Sequence, residues 1–158
     1  MGNTPFVELV RRSETAVLPK KGSEHAVGWD VCADESVWLA PGEHAMIDTG
    51  WDIGILDYDR EVQVRPRSGL AAKHGITVLN SPGTIDPDYR GPLKVILINH
   101  GSDEFFVEKG MRIAQLVLAS VVREFDYFDG EKVEVYKEVD KFMTETERGE
   151  GGFGSTGV

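Results

Sequence analysis

A chain of 158 residues with 41% hydrophobic content fits one domain with one core, and its formal net charge of −10 argues against a general nucleic-acid binder, because duplex affinity comes mainly from Lys and Arg neutralising phosphates. No apolar run approaches the roughly 18 to 20 residues that span a bilayer, and the opening MGNTPFVELVRR has no signal-peptide core, so no membrane association and a cytoplasmic location are expected, in a host's cytoplasm if the chain is viral. Cys32 is the only cysteine, which excludes an intramolecular disulfide and a metal site built from cysteines.

Along the chain, apolar residues alternate with polar ones in short runs. The pattern predicts strands over 6–10 (FVELV), 28–33 (GWDVCA), 36–40 (SVWLA) and 61–66 (EVQVRP). The segment 68–75 (SGLAAKHG) then predicts a helix of about two turns, with Ser68 as its cap, Leu70 to Lys73 propagating it and Gly75 ending it. Strands are predicted again over 93–99 (LKVILIN), 104–108 (EFFVE) and 113–122 (IAQLVLASVV). Asp129-Gly130, set between aromatic and β-branched residues, predicts a tight hairpin. Short strands punctuated by APG, SPG, RGP and EKG predict an all-β sandwich, jelly roll or barrel. There is no internal repeat, and the glycine-rich end RGEGGFGSTGV is the low-complexity segment.

Three clusters carry chemistry. In RPRSGLAAKHG, Arg65, Arg67 and Ser68 fall where a strand ends and a helix begins, a place whose free amides favour an anion. The plainer alternative is a capped helix whose arginines pair with the chain's many acids. In LNSPGTIDPDYRGPLKVILIN, turn residues bracket TID, so Asp86 is held in a tight hairpin where it can act as a general base for water, and Tyr89 offers a flat wall for a sugar. Both aspartates there, Asp86 and Asp88, also suit ordinary turns. The glycine-rich end lacks the lysine and the following helix of a P-loop. Its glycine amides, Ser155, Thr156 and the forked cation of Arg148 can still grip phosphate, while Phe153 can stack on a nucleobase; the alternative is a solvated Gly/Ser tail. His25, His44, His74 and His100 show no ligand spacing and read as surface or packing residues.

The three clusters and two further stretches, taken in order, resemble the homotrimeric dUTP diphosphatases (dUTPases) over nearly the whole chain. The five motifs of that family are matched by VGWDVCA, RPRSGLA, GTIDPDYRG, GMRIAQL and RGEGGFGSTG. The resemblance implies a jelly-roll or distorted β-barrel trimer that exchanges its C-terminal arms, with a core domain at 1–147, a hairpin insertion at about 123–139 and the arm at 148–158. It implies Mg2+-assisted attack of water on the α-phosphorus of dUTP, giving dUMP and pyrophosphate. That reaction keeps uracil out of DNA and supplies dUMP for thymidylate synthesis.

The roles carried over are these. Asp30 holds water ligands of a Mg2+ chelated by the triphosphate, Ser68 and Gly69 contact the phosphates with Arg67 close by, and Gln115 contacts the α-phosphate region. Asn80 and the hairpin backbone of Gly83, Thr84 and Ile85 read the uracil edge. Tyr89 packs under the deoxyribose and disfavours a 2′-hydroxyl, Asp86 orients the attacking water, and Lys94 joins the substrate-binding set. Arg148, Gly154, Ser155 and Thr156 close on the γ-phosphate while Phe153 stacks over the base. Two features depart from the family: Trp29 stands where Tyr or Phe is more usual, and the stretch between the fourth and fifth motifs is longer. Related dCTP deaminases share the fold and the triphosphate handling but use a glutamate base for attack on the cytosine ring; Asp86 in the hydrolytic motif and the complete fifth motif favour hydrolysis. A nucleotide-gated interaction module on the same fold, with its partner surface on the hairpin insertion, is the alternative from another class.

Overall fold

Leu93, Val95 and Leu97 are buried while Lys94 between them is exposed and Ile96 is half-buried, the period-two signature of a strand with one face in a core. The computed structural model describes residues 6–122, 125–128, 130–142, 144 and 146–148. They form two compact units, Met1–Val121 and Val122–Val158.

Within the first unit the strands in chain order are β1 (Val7–Arg11), β2 (Lys20–Lys21), β3 (Trp29–Cys32), β4 (Val37–Leu39), β5 (His44–Ile55), β6 (Arg60–Arg65), β7 (Ile76–Val78), β8 (Gly83–Ile85), β9 (Arg90–Asn99), β10 (Phe105–Val107) and β11 (Arg112–Ser120). One sheet has the order β1-β5-β9-β7, a second has β2-β3-β11-β6-β8, and β10 pairs with β4. Every pairing is antiparallel. With a single short helix among the described residues, this is the all-β, jelly-roll-like fold that the punctuation predicts.

Side chains from both sheets meet in one core that includes Val31, Ile47, Ile53, Val64, Val95 and Ile113. Each such side chain contributes about 1.5–3 kcal/mol by leaving water. Two buried polar residues are satisfied inside it. Thr49 Oγ1 donates to the Leu93 carbonyl at 2.6 Å. Asn99 Nδ2 donates to Leu39 and Asp103 carbonyls at 2.9 and 2.8 Å, while its Oδ1 accepts from Gly101 N–H at 2.8 Å.

The longest strand, β5, lies in a stretch where no strand was expected. Asp48, Gly50 and Asp52 break its alternation, and the chain absorbs them with a register shift between Asp48 and Asp52. Gly50 sits there at φ 76, in the left-handed region, and a Cβ would come within 2.7 Å of Ala16 Cβ. Strands β2, β7 and β8 are only two or three residues long and give no periodicity to read.

The helix α1 (Ser68–His74) forms where expected, but Ser68 is not its cap. Arg67 occupies the N-cap with extended backbone (φ −92, ψ 126) and makes no side-chain capping bond, so Ser68 falls in the first helical turn. Gly75 closes the other end at φ 67, its N–H reaching the Ala71 and Leu70 carbonyls.

In the second unit β12 (Phe125–Phe128) and β13 (Glu131–Glu134) pair antiparallel, with Gly130 at φ 80 in the turn. No helix of the described residues is long and apolar enough to cross a membrane.

Candidate active site

The short strand β8 pairs with β6 on one side, Gln63 opposite Thr84 and Val64 opposite Gly83, and ends its sheet on the other. An edge strand of this kind has a row of backbone donors and acceptors without a strand partner. Gly83 lies so close to the loop before it that a Cβ would stand 3.2 Å from Asn80 Nδ2 and from Val64 Cβ. The edge and the loop open into a cavity of about 390 Å3, a volume suited to a small ligand. Asn80, Gly83, Thr84, Ile85, Asp86, Tyr89 and Lys94 all line it, with Met46, Val64, Pro92, Leu93 and Ile96 supplying apolar wall. Seven residues expected to bind substrate or catalyse are thus brought together.

The turn between β8 and β9 is closed by Tyr89 N–H to the Asp86 carbonyl at 3.1 Å. It leaves the Asp86 side chain exposed. Arg90 laces the turn: Nη1 donates to the Pro87 and Tyr89 carbonyls at 2.8 and 2.7 Å, and Nη2 to the Ile55 carbonyl on β5 at 3.1 Å. The Tyr89 hydroxyl donates to the Pro92 carbonyl at 2.9 Å.

A second cluster forms across β3, β11 and β6, where Gln115 stands opposite both Asp30 and Arg65. The Asp30 carboxylate, 19% exposed, lies between two guanidinium groups: Arg67 Nε is 3.2 Å from one oxygen and Arg112 Nη1 is 3.1 Å from the other. Arg67 Nη1 also donates to the Arg112 carbonyl at 3.2 Å. Two cations against one anion leave a local positive excess in a chain whose net charge is −10, which suits a phosphate-bearing ligand. Gln115 Nε2 donates to the Pro66 carbonyl at 3.0 Å, fixing β11 to the segment that enters α1. Ser68 and Gln115 line a shallow groove with Arg65, Ser81 and Pro82. Arg65 itself is engaged by Gln63 Oε1, at 2.9 Å from Nε and 2.6 Å from Nη2. A Cβ on Gly69 would meet nothing within 4 Å, so its backbone is open to approach.

Arg112 belongs to GMRIAQL, the fourth stretch of the family resemblance, yet alternation conceals where its side chain lies. A strict strand would point residues 112 and 115 to opposite faces. A register shift between Arg112 and Ala114 breaks the alternation, and Arg112 joins Asp30 and Gln115 on one face. Cys32, opposite Arg112, is buried; desolvation, and then the charge of Asp30, push its thiol pKa up, so it stays a neutral thiol.

Within the chain, the groups expected to work on one nucleotide line three openings. Asp86 lines the β8 cavity, Ser68 and Gln115 line the shallow groove, and Arg67 with Arg112 lines another open groove beside Leu70 and Met111. Arg148 is exposed in the second unit, and Phe153, Gly154, Ser155 and Thr156 lie outside the described residues. No group of three or more His, Cys, Asp or Glu converges among the described residues. Asp30, partly buried and engaged by Arg67 and Arg112, could hold waters of a hard cation only together with substrate phosphates, whose negative charge offsets the two guanidiniums.

Residues 14–157 match the family model described as dUTPase. The chain is 50% identical over 143 residues to the deoxyuridine 5'-triphosphate nucleotidohydrolase of Rickettsia akari (strain Hartford), covering 89% of this chain and 88% of that protein. Similarity to the protein of the same name from Nautilia profundicola is 47% identity over 151 residues, or 96% and 98% of the two chains. Among solved structures, the dUTPase of Staphylococcus bacteriophage 80alpha with dUPNHPP matches with a TM-score of 0.79 at 27% identity, over 99% of this chain and 100% of that one.

Proposed function

The chain belongs to the dUTPase family, and on that premise we propose how its residues divide the work of hydrolysing dUTP to dUMP and pyrophosphate. The uracil enters the β8 cavity, where Asn80 and the unpaired backbone edge of Gly83, Thr84 and Ile85 match its donor and acceptor pattern. Fixed backbone groups reject the inverted pattern of cytosine, and the close apolar wall leaves no room for the methyl of thymine. Tyr89 lies against the deoxyribose, and Lys94 supplies a cation at the cavity wall.

Asp86 takes a proton from water as its oxygen bonds to the α-phosphorus and the bond from that phosphorus to the bridging oxygen breaks, releasing pyrophosphate. The protein has no covalent intermediate to form, so its contribution is positioning and charge neutralisation. Arg67, Ser68, Gly69 and Gln115 hold the phosphates. Asp30 would orient water ligands of Mg2+, which supplies charge neutralisation on the triphosphate when bound. Arg148, Phe153, Gly154, Ser155 and Thr156 form an arm that closes over the nucleotide. In the homotrimer proposed here, each site is completed between copies, the cavity of one meeting the phosphate-binding groove of another.

The observation that carries this reading is the convergence of Asn80, the β8 edge, Asp86 and Tyr89 on one cavity. A product assay with Mg2+, every deoxynucleoside triphosphate and UTP tests it. The native protein should release dUMP and pyrophosphate from dUTP, and Asp86→Asn should lose this activity. Deamination of dCTP, or full activity of the variant, would refute the assignment.

A further inference from the structure

Gly91 is a glycine that its own backbone does not require. It is not among the glycines with positive φ, and it pairs with Ile53 in the regular β5–β9 ladder, where any residue could stand. The demand comes from Tyr89. A Cβ at Gly91 would lie 2.8 Å from Tyr89 Oη and 2.9 Å from Cζ, well inside van der Waals contact. The aromatic ring thus folds along the chain and fills the space that a side chain at Gly91 would take. Its tip is tied by the hydroxyl bond to the Pro92 carbonyl, and its base by Arg90 Nη1 on the Tyr89 carbonyl.

We propose that Gly91 is a positioning residue for sugar selection, the absence of its side chain setting where the Tyr89 ring stands against the nucleotide's ribose position. This rests on the reading of Tyr89 as the deoxyribose wall. A methyl group at Gly91 breaks the Pro92 bond and swings the ring, already 41% exposed, outward towards solvent. Space then opens where a 2′-hydroxyl would sit, and discrimination between dUTP and UTP falls.

The experiment compares kcat/KM for UTP and dUTP in Gly91→Ala, Tyr89→Ala and the double variant, with thermal melting followed for each. Gly91→Ala should raise the UTP to dUTP ratio about tenfold, the scale of discrimination that one steric contact gives. A structural role alone would lower both substrates together and leave the ratio unchanged, which would overturn the proposal. Tyr89→Ala should raise the ratio as well, and adding Gly91→Ala to it should change nothing more. If Tyr89→Ala leaves the ratio unchanged, the reading of Tyr89 as the sugar wall fails. If Tyr89→Ala raises it and Gly91→Ala does not, the role of Gly91 alone fails. Should Gly91→Ala fail to fold, the double variant must fold, because the obstructing ring is gone; a double variant that stays unfolded contradicts the proposal.

Discussion

The Asp30 carboxylate spans two arginines and restrains both, and either arginine helps to fix the carboxylate between them. Arg112→Ala removes one guanidinium and leaves Arg67 with fewer restraints beside the phosphate-binding groove. Loss of an ion pair with a largely exposed arginine, about 0.2–1 kcal/mol, corresponds to a fall in kcat/KM for dUTP of up to about fivefold. Steady-state kinetics should record that fall with the melting temperature nearly unchanged, since Arg112 is an exposed side chain. In the β8 cavity, Asp86 and Tyr89 were legible from the residues because turn residues fix them locally, within a few positions of each other, whereas Asn80, Gly83, Thr84, Ile85 and Lys94 were reached only through the family resemblance. Arg112 was hidden because its orientation depends on an irregularity of β11 that only the pairing with β3 reveals. Ser68 was misplaced by one position because its capping propensity yields to the extended backbone of Arg67.

At the scale of elements, β5 is joined to its surroundings by charge as well as by packing. Arg12, just after β1, approaches Asp48 at 2.6 Å and Asp52 at 2.8 Å across the irregular part of β5, the second contact an ion pair without hydrogen-bond alignment. Nearby, Asp34 accepts from Thr15 Oγ1 at 2.7 Å and faces Lys109 Nζ at 3.6 Å. Burial alone would raise the pKa of both Asp34 and Asp48. Hydrogen bonds from Ser13 and Thr15 to Asp34, and from Arg12 and Gly50 to Asp48, together with nearby cations, reverse that and leave both values lowered. A carboxylate whose folded pKa is lowered stabilises the fold above its unfolded value, near 3.8 here, and loses that contribution as pH falls through the folded value. Thermal melting followed from pH 7 downward should therefore show an acid-side loss of stability that is smaller in Asp48→Asn, measured against that variant's own pH 7 value. An equal loss in both proteins would show that Asp48 has no part in it. The strands around β5 were legible as alternating runs. The strand itself was not, because the aspartates and the glycine that serve this charged junction also erase its periodicity.

For the whole molecule, the strong negative charge and the all-β pattern were legible from composition and punctuation, and the locally positive cluster on β3 and β11 was not, since it is assembled from residues up to 82 positions apart. In the proposed homotrimer, a copy can be defective in the cavity and sound in the groove, or the reverse. If one dUTP is handled by the Asp86 cavity of one copy and the Gln115 groove of another, as proposed, mixing Asp86→Asn and Gln115→Ala proteins under conditions that exchange the copies will restore activity. Each variant alone should be nearly inactive, and the mixture should regain about a quarter of native activity if two copies combine at random in every site. Mixed oligomers that form but remain as inactive as their parents would contradict the account.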